Sequence, residues 1–184
     1  MRSCKRWMWA FLICLLSTTV GNRAATVKDS IARECGVDTD QPAQRIFADP
    51  EGKHAWHEFK RLKDVSEIQS SRHFAQFWTS SSGNVFIQIE EPSEDWFTYT
   101  DYCFGKTGRL VALRFEVRTA WGYGFRESGP IVKGIFRPRT SDYFKTDNEA
   151  AITRPEQAED FVDALKPYIY NRESRLPFAK LISK

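Results

Sequence analysis

The sequence predicts an α+β fold, in which one antiparallel β-meander sheet of about five to seven strands is flanked by N- and C-terminal helices. Three observations indicate it. Apolar and polar side chains alternate over residues 109–119, and residues 73–90 are typical of two strands joined by a turn. Helical spacing of apolar residues recurs near both ends of the chain beyond residue 25. Strands that follow one another through short turns form a meander as the simplest topology.

The strand over residues 109–119 is the clearest element, because its side chains alternate with a period of two. We expect one face of this strand to pack on the core and the other to be wet or partly covered, as an antiparallel sheet allows. The packed set is Val111, Leu113, Phe115 and Val117, and the opposite set is Ala112, Arg114, Glu116 and Arg118.

The other strands are predicted from aromatic or β-branched runs between turn residues. Residues 73–79 and 85–90 indicate a hairpin, because the Ser-Ser-Ser-Gly-Asn sequence between them has turn chemistry. Three glycines between residues 122 and 129, followed by Pro130, predict a break in the sheet. Further strands are expected at 96–104, 131–136 and 143–146, with a turn at 105–108.

A helix is predicted over residues 26–35, because Val27, Ile31 and Cys35 recur every four residues and Gly36 follows. Residues 53–63 are ambiguous. Their apolar residues mark a helical face, but so short a run also fits a strand.

A second helix is predicted over residues 155–166. Pro155 suits the first helical turn, and apolar residues follow it with helical spacing. The tail at 176–182 is apolar enough that we expect it to dock on the body of the protein.

The first 25 residues have the pattern of a secretory signal peptide. Three basic residues precede an uncharged apolar run over 7–16, and small or polar residues follow it. This run is too short to span a bilayer comfortably, because a spanning helix needs about 20 apolar residues. We therefore expect cleavage near residues 21–25, one globular domain over 26–184 and no stable transmembrane span after cleavage. An uncleaved anchor and a buried N-terminal helix are the alternatives.

Beyond the signal the chain keeps two cysteines, Cys35 and Cys103. An even pair in an exported chain indicates a disulfide between them. Two separate buried thiols are the alternative, because a sequence does not show whether the Cα atoms are close enough to be bridged. The chain has no Cys-x-x-Cys motif, so redox catalysis is not indicated.

Composition and charge exclude several classes of protein. Hydrophobic residues make up 41% of the chain and charged residues 28%, which excludes a disordered or collagen-like chain. The formal net charge is +3, but residues 1–25 hold four basic residues and no acidic one. The remaining chain is close to neutral, so its charge gives no reason to expect a nucleic acid as partner.

A glycine-rich aromatic segment at 118–127 is the first candidate binding site. Aromatic rings stack on sugars or apolar ligands, and arginine binds carboxylates or phosphates. The alternative is structural, with rings that cap the end of the sheet and charges that form a cross-strand ladder. The candidate ligand-binding residues are Arg114, Arg118, Trp121, Tyr123 and Phe125.

A metal site at His54, His57 and Glu58 is the second candidate, because this spacing suits ligands on one helical face, with His73 as a further ligand. The order of the residues matches neither zinc-protease motif, and an ordinary amphipathic surface is the alternative. An acidic pair, at 90–91 or at 94–95, fits glycoside hydrolysis in principle, but adjacent acids in a proline-broken turn are more typical of a solvated loop.

The chain contains no nucleophile elbow, phosphate loop or dinucleotide fingerprint, so the sequence assigns no catalytic residue and no cofactor. Our leading hypothesis is an exported, periplasmic or secreted, non-enzymatic domain that binds a small molecule, a glycan or an envelope protein. A secreted hydrolase, metal-assisted through His54 and His57, is the first alternative. The second is an assembly protein whose exposed sheet edge receives a partner strand.

Overall fold

A ten-stranded antiparallel sheet organises the residues described by the computed structural model, which are 31–66, 73–155 and 169–183. The strands in chain order are β1 (Arg45–Asp49), β2 (His57–Phe59), β3 (His73–Thr79), β4 (Val85–Pro92), β5 (Trp96–Phe104), β6 (Leu110–Thr119), β7 (Tyr123–Val132), β8 (Ile135–Phe136), β9 (Thr140–Lys145) and β10 (Ala151–Ile152). Three short helical segments, α1 (31–35), α2 (Leu62–Ser66) and α3 (Ala179–Ile182), and a 3₁₀ turn at Glu173–Arg175 accompany them.

The central strands form a meander, in which β3, β4, β5, β6 and β7 each pair with the next along the chain. On one side β1 lies beside β3 and carries β2, and on the other side β9 lies beside β7 and carries β10. The short β8 folds back on the end of β7. The structure agrees in outline with the predicted α+β meander, but the sheet has more strands than the five to seven expected.

The predicted hairpin and the two long central strands are confirmed. The hairpin over 73–90 is β3 and β4, and its turn contains Gly83 at a φ of +80°. The segments 96–104 and 109–119 are β5 and β6. Both segments are rich in aromatic and β-branched residues and contain no glycine or proline, so the local pattern matches the final fold.

The predicted strand at 131–136 is wrong. The chain reverses within it at Lys133 and Gly134, which both have positive φ, so its two halves belong to β7 and β8. The strand predicted at 143–146 corresponds to β9, which begins earlier, at Thr140.

The predicted break around Gly124, Gly129 and Pro130 is also wrong, because this segment is strand β7. A Cβ atom on Gly124 would lie 2.4 Å from the ring of Phe144, and one on Gly129 would lie 2.1 Å from the backbone oxygen of Arg137. Both glycines therefore allow a close approach within the sheet, which is a common reason for glycine inside a strand.

The register of the central strands defines two faces of the sheet. Ile87, Tyr102 and Leu113 lie opposite one another on β4, β5 and β6, and we call the side that carries them the core face. Asp101 is next to Tyr102 in β5, and Arg114 is next to Leu113 in β6. These two residues lie opposite each other on the other side of the sheet, which we call the polar face. Because strand side chains alternate, this register assigns every neighbouring residue to one face or the other.

Both faces of β6 are buried at its centre. Of the four residues expected to pack, three are buried and Val111 is exposed. On the opposite side, Ala112 is buried, and Arg114 and Glu116 are only 5% and 2% exposed. Of the two conditions expected for this face, wet or partly covered, the structure shows the second. Charges buried this deeply need partners, because an unpaired charge is very costly away from water.

The main hydrophobic core lies on the core face. Phe47 of β1 stacks on Phe178 of the C-terminal tail, with ring centroids 4.7 Å apart, and Leu176 packs into the same cluster. Burying one such side chain stabilises the fold by about 2 kcal/mol. The expectation that the tail docks is confirmed.

A smaller core on the polar face surrounds the disulfide between Cys35 and Cys103. The Cα atoms of the two cysteines are 5.6 Å apart, which suits a disulfide. Ile31 and Cys35 of α1 pack in the same cluster as Trp78. Gly36 follows α1 with a φ of +76°, as predicted for the end of this helix. The predicted disulfide is confirmed in the structure.

Several predicted features lie outside the described residues. These are the signal segment 1–25, residues 26–30 of the first helix and residues 156–166 of the second. The ambiguous segment 53–63 contains β2, followed by the start of α2. Within the described ranges, we find no helix with the length and apolar character needed to cross a membrane.

Replacing both disulfide cysteines by serine is expected to lower the free energy of unfolding by about 4 kcal/mol, because the bridge closes a long loop in the unfolded chain. The two residues are 68 positions apart. Chemical denaturation of the wild type and of the C35S/C103S variant measures the change. A reducing agent should destabilise the wild type alone. A variant with an unchanged denaturation midpoint would contradict this account.

Gly124→Ala is expected to destabilise the protein by about 2 kcal/mol or more, because overpacking forces side chains and backbone to move. The added Cβ would lie 2.4 Å from the Phe144 ring and 2.8 Å from the backbone oxygen of Val117. Gly105→Ala is the matched control. Its added Cβ would lie 3.3 Å from the side chain of Val111 and 3.9 Å from the backbone oxygen of Arg109, which leaves much more room. Equal losses of stability in urea denaturation would show that packing on Phe144 is not the constraint.

Candidate functional site

A cavity of about 300 Å³ lies at one end of the core face, where β3 begins, β4 ends and β5 begins. Residues at these strand ends, His73, Glu91 and Trp96, line it. His54 from the loop between β1 and β2 and Tyr170 from the segment before the 3₁₀ turn also line it. These residues are far apart in the chain, so the cavity exists only once the sheet has formed.

Two other depressions are larger, at about 430 and 510 Å³. One is formed by residues 32–40, and the other lies between residues 107–108 and 172–183. Neither has an aromatic ring among its described lining residues. Ligand sites combine apolar or aromatic walls with a few placed polar groups, so the smaller cavity on the core face is the better candidate.

The floor of the cavity is built by alternate residues of β5. Thr98, Thr100 and Tyr102 line it, and they share a face because strand side chains alternate. Phe115 lies opposite Thr100 on β6, and Glu91 lies opposite Thr98 on β4. The sheet register thus brings two threonine hydroxyls, two rings and a carboxyl together.

His54 reaches the cavity from a strained turn. Its φ is +60°, a left-handed conformation that costs free energy for a residue with a side chain. The carboxylate of Asp49 holds this turn: Oδ2 accepts the backbone N–H of His54 at 2.7 Å, and Oδ1 accepts that of Lys53 at 3.2 Å. Asp49 is 1% exposed, so a buried group fixes the wall that carries His54.

Glu91 is the acidic side chain of the cavity. Burial raises the pKa of its carboxyl, and the nearby His54 opposes that shift. Within the described part of the chain, no residue donates a hydrogen bond to this carboxyl, and no lysine or arginine lines the cavity. Glu91 is therefore a partly buried acid, and a ligand or water inside the cavity would supply the hydrogen bonds to its carboxyl.

Tyr102 and Tyr170 form a corner of the cavity, with ring centroids 6.0 Å apart and ring planes inclined by 49°. Burial first, and then the charge of Glu91, raises the pKa of both phenols, so both stay protonated at neutral pH. The rings of Trp96 and Phe115 add to the aromatic lining. The arrangement offers flat apolar surfaces, hydroxyl groups and one carboxyl to a small molecule.

The five residues of the predicted recognition site are not brought together in the structure. Arg114 and Arg118 lie on the polar face, whereas Tyr123 and Phe125 lie on the core side of β7, since Phe125 is opposite Val117. Trp121 is 60% exposed in the turn between β6 and β7, and its ring lies 6.3 Å from that of Tyr123. The segment is a tight hairpin rather than a loop.

Arg114 and Arg118 belong to a chain of ion pairs on the polar face. Arg114 contacts Glu116 and also Asp101, with Nη1 and Oδ2 3.3 Å apart. Arg118 contacts Glu116 at 2.7 Å and Glu149 at 2.8 Å. Both guanidinium groups are thus already paired with carboxylates, as in the charge ladder that the sequence suggested as the alternative.

The candidate metal ligands are also separated. His54 lies at the cavity, whereas His57 is exposed in β2 opposite Ala48. Glu58 binds Arg45 through two hydrogen bonds of 2.7 and 2.8 Å. Within residues 31–66, 73–155 and 169–183, no three His, Cys, Asp or Glu side chains form a group that could hold a metal ion.

The cavity was missed at the level of the sequence because its residues carry no common local motif. Glu90 and Glu91 were interpreted as a solvated pair, but adjacent residues of a strand face opposite sides, and Glu91 faces inward. The alternation of Thr98, Thr100 and Tyr102 was the available signal. It places three polar groups on the face of a central strand, where apolar residues are the rule.

Glu116→Gln is expected to destabilise the protein by about 3 kcal/mol, because it leaves the buried Arg114 and half-buried Arg118 without the carboxylate they share. Urea denaturation measures the loss. Asp142→Asn is the control, since this carboxylate pairs with Arg126 at 2.7 Å but is much more exposed, and it should cost less than about 1 kcal/mol. Similar losses in both variants would contradict the buried network.

Comparisons with models of protein families, with curated proteins and with solved structures found no match for this chain.

Proposed function

We propose that this chain is an exported, non-enzymatic protein that binds a small molecule in the cavity on its core face. The cavity itself is the observation that carries the proposal. Its volume of about 300 Å³ is at the lower end of the range of small-molecule sites, which is roughly 300 to 1,000 Å³. An apolar cavity of about half this size already binds benzene in another protein.

The chemistry of the lining supports binding. Trp96, Tyr102, Phe115 and Tyr170 offer aromatic surface, and Thr98, Thr100 and Glu91 offer polar atoms that orient a ligand. The walls rest on rigid supports, since the floor is a central strand and His54 is held by the buried Asp49. A preformed site binds without the entropic cost of ordering loops.

Export is supported by two features of the chain. Basic residues followed by the uncharged run at 7–16 are typical of a secretory signal. The disulfide between Cys35 and Cys103 is compatible with an oxidising compartment, because such bonds persist mainly outside the reducing cytosol.

A hydrolase is the second candidate function, and Glu91 is the observation that favours it. A carboxyl with a raised pKa beside a histidine in a cavity is a recurring feature of general acid catalysis. Binding without turnover supports the first proposal. Turnover of a bound ester or glycoside that Glu91→Gln abolishes would support the second.

Narrowing the cavity is expected to abolish small-molecule binding. Thr100→Phe fills the floor, and Ser93→Trp covers the lining near Pro92 if the first variant does not fold. A fragment library with neutral, cationic and anionic members is screened for compounds that raise the melting temperature of the protein. The hits are then titrated against tryptophan fluorescence, in the wild type and in the Trp96→Phe variant. We expect fragments that stabilise the wild type and not the narrowed variants.

The control is Trp121→Phe, which changes an exposed ring outside the cavity and should leave every hit unchanged. The proposal is wrong if no fragment binds the wild type, or if the hits bind the narrowed variants equally well.

A further inference from the structure

We propose that the ligand of this cavity is an organic cation, an ammonium group held between the carboxylate of Glu91 and the surrounding aromatic rings. The inference rests on the proposed function and adds the chemical class of the ligand. It is carried by the charge of the lining, by the geometry of the rings and by the contrast with the other buried acids of the sheet.

The charge of the lining selects against anions. Within the described part of the chain, Glu91 is the acidic side chain of the cavity, and no lysine or arginine faces it there. An anionic ligand would meet a like charge with no fixed cation to offset it. A cationic ligand would instead neutralise Glu91, and a desolvated ion pair is much stronger than one in water.

The rings complete such a site. Tyr102 and Tyr170 both line the cavity, and their ring planes are inclined at 49° with centroids 6.0 Å apart, so the two rings do not form one flat wall. Glu91 lines the same cavity, and its charge raises the pKa of both phenols. Cations are attracted to ring faces within about 6 Å, and aromatic cages are a common way to bind ammonium groups.

The other buried acids of the sheet have partners. Glu116 is held between Arg114 and Arg118, and the carboxylate of Asp49 accepts two backbone N–H groups. Glu91 receives no such hydrogen bond from the described residues. Burial of a carboxylate that none of the described residues pairs lowers the stability of the empty protein, so we assign the role of its partner to a cationic ligand.

Among the described residues that line the cavity with Glu91, four others carry titratable groups. They are His54 from the loop after β1, His73 from β3, Tyr102 from β5 and Tyr170 from the C-terminal segment. The tyrosines stay neutral because their pKa values are raised. A positive charge on His54 or His73 would compete with the ligand for Glu91.

The test compares three probes of similar size and different charge: benzylamine, benzyl alcohol and benzoate. Affinities are measured by isothermal titration calorimetry at neutral pH. We expect benzylamine to bind at least about tenfold more tightly than benzyl alcohol, and benzoate to bind more weakly than both. Glu91→Gln should reduce the affinity for benzylamine by about tenfold and leave that for benzyl alcohol within about twofold.

The matched control is Glu90→Gln, which removes the same charge one residue away on the polar face and should leave all three affinities unchanged. If the Glu91→Gln variant does not fold, Glu91→Met is the second variant. It should show the same loss of affinity for benzylamine and no loss for benzyl alcohol.

The pH dependence gives an independent readout. Benzyltrimethylammonium keeps its charge at all pH values, so any change in its affinity belongs to the protein. When the pH is lowered, Glu91 becomes protonated and the affinity for benzyltrimethylammonium should fall. Because burial raises the pKa of Glu91, this fall should begin at a higher pH than it would for an ordinary glutamate. Glu91→Gln should flatten this part of the profile and leave any contribution of the histidines.

Stability provides a last check on the empty protein. A raised pKa means that the ionised carboxylate is less stable in the fold than in the unfolded chain. The cost is present above the raised pKa and disappears as the pH falls below the unfolded value. Glu91→Gln should therefore raise the urea midpoint at neutral pH and not at acid pH.

The outcomes separate this inference from the proposed function. If the three probes bind equally, or if Glu91→Gln leaves benzylamine unaffected, the ligand is not a cation while the cavity remains a binding site. If no probe and no library fragment binds, both proposals are wrong.

Discussion

The register of β4, β5 and β6 is the constraint on which the rest of the structure depends. It places Glu91 opposite Thr98 on one face and Asp101 opposite Arg114 on the other. A slip of one residue would exchange the faces and move Arg114 and Glu116 into the hydrophobic core. Their ion pairs would be lost there, at a cost of several kcal/mol for each buried charge. The charges of the polar face therefore specify the register together with the apolar residues of the core face.

The two faces bury their acidic groups in different ways, and that difference points to function. On the polar face Glu116 lies between two guanidinium groups, so the fold itself compensates its burial. On the core face the fold surrounds Glu91 with rings and hydroxyls instead. The polar face supplies two arginines to Glu116, whereas no arginine of the described residues lines the cavity around Glu91. On our proposal, a bound cation would offset the cost of burying this carboxyl.

Local pattern was enough to predict the strands whose two faces alternate regularly, such as 96–104 and 109–119, and the hairpin before them. It failed for β7, because Gly124 and Gly129 look like breakers until Phe144 and the backbone at Arg137 are known to lie against them. The residues of the predicted binding site lie apart for a related reason. Arg114 and Tyr123 are close in the sequence but lie on opposite faces, whereas His54, Glu91 and Tyr170 are distant in the sequence and meet only through the register and the docked tail. Contacts of this kind are set by tertiary pairing, which no single segment encodes.

The position of the cavity follows from where β4 turns into β5. The backbone N–H of Ser93 donates to the backbone oxygen of Trp96, so the two strands join in a tight hairpin just beyond Glu91. The turn that carries His54 lines the cavity at this end of the sheet. That turn is strained, and the buried carboxylate of Asp49 is needed to hold it. A strained wall with its own buried support is held in place by the fold itself, so the ligand that we propose would meet a site that is already formed.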